Sequence, residues 1–171
     1  MQVLKRTRRK ICQGDIFVFK LNHENIFRFG RVIKESVKIG GFDNLILVYI
    51  YKAVSPSKEN IPFLNPCELL IPPFATDRMP WTSGYFENIE SRPLVSGETL
   101  SKHHFKAFGG RFFDDDGNPV TSPNEPIGTW GLHSIRSIDN EISDALGIPW
   151  AEKPSEDLLR ALEGKPNLHR K

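Results

Sequence analysis

Leu45-Ile46-Leu47-Val48-Tyr49-Ile50-Tyr51 is the stretch on which the fold turns. Its β-branched and aromatic content suits a strand, and its lack of polar alternation predicts cover on both faces, so it belongs at the heart of the core. Upstream, Asp15-Ile16-Phe17-Val18-Phe19-Lys20-Leu21 and Ile26-Phe27-Arg28-Phe29-Gly30-Arg31-Val32-Ile33 read as two more strands joined by the polar turn Asn22-His23-Glu24-Asn25. In the second of these, Phe27, Phe29, Arg31 and Ile33 share one face. Gly30 marks a bulge or a close backbone approach.

Downstream, 55–66 carries three prolines and is expected to be a loop. The short apolar stretch Leu69-Leu70-Ile71 should be closed by Pro72-Pro73. The segment from Trp81 to Ile89 fits either an edge strand or an irregular path. Phe105 to Phe113 reads as a strand entering the turn Asp114-Asp115-Asp116-Gly117-Asn118-Pro119, and Gly128-Thr129-Trp130-Gly131-Leu132 as a last strand or tight crossing. Helix enters late. Asp139 is the expected N-cap of a helix with Ile142, Ala145 and Leu146 on one face, ended by Gly147 and Pro149; a second follows Pro154, capped by Ser155 and striped by Leu158, Leu159 and Leu162. Strands first and helices afterwards predict an α+β fold: a mainly antiparallel, strongly bent sheet or partly open barrel with short C-terminal helices. The expected organisation is a flexible basic arm at 1–10, a single α+β domain at 11–164 and a basic tail at 165–171.

With 171 residues, 39% hydrophobic and 26% charged, and a mean hydropathy of −0.37, the chain has the profile of one folded soluble domain. Its longest apolar run is far short of the roughly 20 residues that cross a bilayer. Two cysteines, Cys12 and Cys67, cannot build a disulfide scaffold. No apolar core follows the basic run at 5–10, so neither an export signal nor a membrane anchor is read, and a cytoplasmic location is expected. The net charge of +2 conceals a division: nine basic and two acidic residues at 1–34, 11 and 19 at 35–164, three and none at 165–171. An acidic body with basic ends suits capture of a basic partner better than capture of nucleic acid.

Motifs that carry chemistry are scarce. Asp114, Asp116, Asn118 and Glu125 have the spacing of calcium ligands in an EF-hand loop, but the position that needs a glycine holds Pro119. His103 and His104, adjacent on a strand, point to opposite faces and form a poor zinc pair with Cys12 or Cys67. No nucleophile elbow is present, and Gly40-Gly41 and Gly109-Gly110 lack the context of a phosphate loop. No catalytic residue, metal site or cofactor is therefore assigned. The run Lys5 to Lys10 is either a phosphate-touching arm or a solvated tail, and Phe17, Phe19, Phe27 and Phe29 are better explained by core packing than by base stacking. Trp81, Tyr85 and Phe86 form either a lid over the core or an exposed binding anchor.

Several pieces, in order, resemble the immunity protein 26 family of bacterial polymorphic-toxin systems. They are Gly14-Asp15-Ile16-Phe17, Phe29-Gly30-Arg31-Val32-Ile33, the apolar strand at 45–51, Gly84-Tyr85-Phe86 with Ile89 and Pro93-Leu94, His104-Phe105, Phe113-Asp114 and Gly128-Thr129-Trp130-Gly131. The resemblance spans residues 10–146. It implies a cytoplasmic antidote that binds a toxin domain, such as one delivered by contact-dependent inhibition, and it transfers no catalytic residue. A phosphotriesterase label attached to some members does not fit, because the chain lacks the H-x-H pair of a binuclear hydrolase.

The expected function is binding and occlusion of a cognate toxin, a nuclease, by a monomer that needs no membrane and no nucleic acid. The expected contacts are the anchors Trp81, Tyr85 and Phe86 and the phosphate-mimicking acids Asp114, Asp115 and Asp116. The alternative is a small β-barrel nucleic-acid binder or ribonuclease. An enzyme acting on a small molecule is the third reading.

Overall fold

The computed structural model describes residues 1–151. The helix expected after Pro154 and the tail at 165–171 lie outside the described residues. In chain order the elements are β1 (Asp15–Phe19), β2 (Phe27–Ile39), β3 (Phe42–Ser55), β4 (Leu69–Thr76), α1 (Met79–Thr82), β5 (Glu87–Ser91), β6 (His104–Lys106), β7 (Phe112–Asp114), β8 (Pro119–Val120), β9 (Ile127–Thr129), β10 (Leu132–His133) and α2 (Ile135–Leu146).

All seven residues of the apolar stretch at 45–51 are buried, in a strand that lies inside a six-stranded sheet ordered β10-β4-β3-β2-β1-β5. A four-stranded sheet, β8-β7-β6-β9, forms the second unit. Neighbours pair antiparallel except β10 with β4 and β6 with β9. The class is α+β with open, bent sheets, neither of them closed into a barrel. The bend follows from register shifts along β2–β3, β3–β4 and β1–β5, since each bulge adds local twist.

Covering both faces of β3 takes two different layers. Phe17, Phe19, Val32, Val48, Ile50 and Phe74 pack with Trp81, Phe86 and the α2 residues Ile138 and Ile142. On the other face Ile16, Val18, Phe29, Ile33, Leu47, Tyr49 and Tyr51 meet Phe105 of the small sheet, with Leu94, Leu100 and Trp130 at the margin. Gly30 is both a bulge and a close approach: a Cβ there would lie 2.2 Å from the Phe17 ring and 2.8 Å from the Tyr49 carbonyl oxygen.

Four expectations are corrected. Pro72-Pro73 does not end a strand; both lie within β4, at a register shift opposite β3 and before the residues that β10 pairs, where a missing N–H breaks no ladder bond. Phe105 to Phe113 is a hairpin, not one strand, turned at Gly109-Gly110. Helix α2 begins earlier, because Ser134 accepts from the Ser137 amide as N-cap, while Asp139 lies inside the helix and pairs with the Met1 amino group at 3.0 Å. Ala145 is exposed, so the inward stripe is Ile138 and Ile142 with Leu146 half-buried; Gly147 ends the helix at φ 65° as expected. The arm at 1–10 lies against the domain. Gln2, Leu4 and Thr7 donate backbone bonds to Lys20, Gly84 and Trp81 carbonyls, and the Arg78 guanidinium holds the Arg8 and Arg9 carbonyls.

Candidate functional site

A cleft of about 840 Å³ opens at the seam between the two sheets. Its wall carries Lys34 from β2, the 99–104 approach to β6, and Asp114, Asp115 and Asp116 from the turn that follows β7. The acidic turn and the two histidines thus meet in one place.

A relay of side chains crosses the seam. Tyr49 Oη on β3 lies 2.5 Å from His103 Nε2, His103 Nδ1 lies 2.9 Å from Asp115 Oδ2, and Lys34 Nζ donates to the same oxygen at 2.8 Å. An ionised carboxylate only accepts, so His103 Nδ1–H donates to Asp115 and, in a neutral imidazole, Nε2 accepts the Tyr49 hydroxyl proton. The Tyr49 oxygen accepts in turn from the Leu100 amide at 3.0 Å. Burial pushes the Tyr49 hydroxyl up to about 12, with the Asp115 charge adding to it and the Leu100 amide opposing. For Asp115, burial works against ionisation, but hydrogen bonds from His103 and Lys34 and their charges outweigh it and hold the carboxyl at about 2.

The order Asp–His–hydroxyl is that of a nucleophilic triad, but its chemistry stops at the tyrosine. Tyr49 is fully buried, and burial makes its hydroxyl harder to ionise than a free tyrosine's. What the relay does is clamp the small sheet to β3. The clamp gives a pH dependence. The Asp115 pKa is depressed on folding, so its stabilisation is complete above pH of about 4 and is lost as pH falls through about 2, a loss of about 2 kcal/mol. Urea titrations at stepped pH should show this acid limb in the wild type and a flattened limb in Asp115→Asn.

Only part of the acidic triplet faces solvent. Asp115 is buried in the relay. Asp114 is half-buried and accepts from the Asp116 and Asn118 amides and the Asn118 side chain; burial opposes ionisation, but these bonds prevail and lower its pKa. Asp116 is exposed. Among the described residues no group of three or more His, Cys, Asp or Glu is placed to hold a metal ion. His104 is bound to the Asn124 amide through Nδ1 at 2.6 Å.

Of the two readings of the aromatic set, Trp81 and Phe86 follow the one that covers the core. Trp81 and Phe86 are fully buried, Phe86 stacked on Phe17 at 4.4 Å and Trp81 edge-on to both. Only Tyr85 is partly exposed. The turn of α1 carries Trp81 inward, where its indole N–H donates to Asn88 Oδ1 at 2.8 Å and Asn88 donates to buried Asp15 at 3.0 Å. Arg9 stands 3.2 Å from the second Asp15 oxygen, near enough to pair but not aligned for a hydrogen bond.

Several of the pieces that carry the family resemblance hold the scaffold together. Gly14 takes φ 87° against the Arg92 carbonyl, and Asp15 caps the Cys12 amide. Fully buried Arg31 pairs with Glu98 at 3.0 Å and donates to the Arg92 and Pro93 carbonyls. A family model described as Immunity protein 26 matches residues 12–110, more than half of the chain. The chain belongs to the immunity protein 26 family. Membership suggests a toxin-neutralising role and a cognate toxin as protein partner. The immunity protein 26 match runs from the Gly14 turn through the β6–β7 hairpin tip, so it includes Arg31 and the 92–98 loop but not the acidic turn. No curated protein and no solved structure matches the chain. Among the described residues no helix is long and apolar enough to cross a membrane.

Proposed function

We propose that this immunity protein 26 family member is a cytoplasmic antidote that binds a cognate toxin domain, a nuclease, and occludes its active site. Family membership carries the reading. Two observations support it: the triad-like relay ends on a buried hydroxyl, and residues 35–164 hold an acidic excess that complements a cleft built for a polyanion. The contact acids on this reading are Asp116 and Asp114 at the lip of the seam, with half-buried Tyr85 the remaining member of the aromatic set.

The test takes the product of the gene immediately upstream as the candidate toxin. The full chain should form a stoichiometric complex with it in calorimetry and protect cells that express it. Asp116→Lys should weaken binding by about 5–10-fold, mainly by slowing association, and should reduce the salt dependence. Unchanged affinity and salt slope would remove the acidic contact. The alternative, a nucleic-acid binder, is tested by filter binding to single-stranded RNA at physiological salt. A dissociation constant no tighter than about 10⁻⁴ M would leave only background electrostatics.

A further inference from the structure

Phe108 sits at the tip of the β6–β7 hairpin with its side chain wholly in solvent, at 105% relative exposure. Nothing in the fold requires it there. Gly109 and Gly110 follow at φ 89° and 83°, with no neighbour near the place of a Cβ, so they serve the backbone turn alone. The turn is closed by the Ala107 amide on the Arg111 carbonyl at 2.8 Å and the Gly110 amide on the Ala107 carbonyl at 3.1 Å. An aromatic side chain is thus presented on a backbone that is already ordered, which lowers the entropy cost of burying it in a partner.

The tip also has a sign. Lys106 and Arg111 flank it, their cations lying over the Phe112 and Phe113 rings at 6.0 and 5.7 Å. Neither has an ion-pair partner among the described residues. Asp114 and Asp116 stand at the opposite end of β7, so the short hairpin is basic at one end and acidic at the other.

We propose that the 107–111 tip is the anchor by which the chain docks on its toxin, Phe108 entering an apolar pocket whose rim carries carboxylates that meet Lys106 and Arg111. This rests on the antidote reading and names the surface and partner chemistry for it. The opposed charges at the two ends of the hairpin fix the orientation in which the toxin is held.

The experiment measures Kd for the candidate toxin encoded upstream with full-length wild type, Phe108→Ala and Lys106→Glu/Arg111→Glu, alongside melting curves and sedimentation of each. The expected result is an affinity loss of about 30-fold or more for Phe108→Ala, with an unchanged melting temperature. The charge reversal should slow association and reverse its salt dependence. If the wild type binds and Phe108→Ala binds equally well, the anchor is overturned and the antidote reading stands. If the wild type does not bind the toxin domain, both fall. A dimer that Phe108→Ala dissolves, with toxin affinity intact, would assign the tip to self-association and overturn the proposal.

Discussion

Trp81→Ala is expected to lower the unfolding free energy by about 3–5 kcal/mol, the range for deleting a fully buried large aromatic. The side chain is not replaceable by local collapse. Phe17 and Phe86 are locked to each other at 4.4 Å and both meet the indole edge-on, so removal opens a cavity between the sheet and the α1 turn. The Asn88 oxygen also loses its donor, and Asn88 is what orients buried Asp15. Against a total stability of about 5–15 kcal/mol, this is a large fraction. Urea denaturation should show the midpoint falling sharply. An exposed anchor would give the opposite pattern, with stability kept and toxin affinity lost.

Arg31→Leu is expected to cost about 1–3 kcal/mol, because the fully buried guanidinium leaves two carbonyls and the partly exposed Glu98 without their donor. The Arg92 and Pro93 carbonyls lose their donor, and Glu98 loses the contact that most strongly holds its carboxyl below the usual range. The 92–98 loop, whose Leu94 closes the margin of the second core layer, loses its tether. Hydrogen exchange should report faster opening in 92–100 than in α2. A double-mutant cycle with Glu98→Gln should return a coupling well above that of the exposed pair Lys38–Asp43.

How much of this was legible in the sequence depended on whether a local pattern governed the outcome. Residues 45–51 read correctly because a strand covered on both faces needs no polar alternation, and the β1–β2 hairpin because its polar turn interrupts two apolar runs. Gly30 was readable as a bulge or a close approach and turned out to be both. Long-range partners defeated the rest. Trp81 and Phe86 lack periodicity in their own segment, and their burial depends on Phe17, far away in the chain. The best local signal was Asn88, a polar mate for the indole. Asp115 looked the same as Asp114 and Asp116 until Lys34, His103 and Tyr49 were brought to it from three other segments. Asp139 resembled a helix cap, but Ser134 took that role five residues earlier.

The passage from β9 to β10 has a consequence for the order in which the chain is made. Residues 127–129 complete the small sheet and 132–133 complete the large one, each by a parallel pairing to a strand synthesised long before. Until this segment leaves the ribosome, β4 and β6 each keep an unpaired edge. At about 5–20 residues per second, β4 waits on the order of 3–11 s for its last neighbour, a bare edge open to other nascent chains. One short stitch therefore seals both sheets just before α2 adds Ile138 and Ile142 to the core, and a chain halted just before residue 127 would carry two adhesive edges and most of its hydrophobic core.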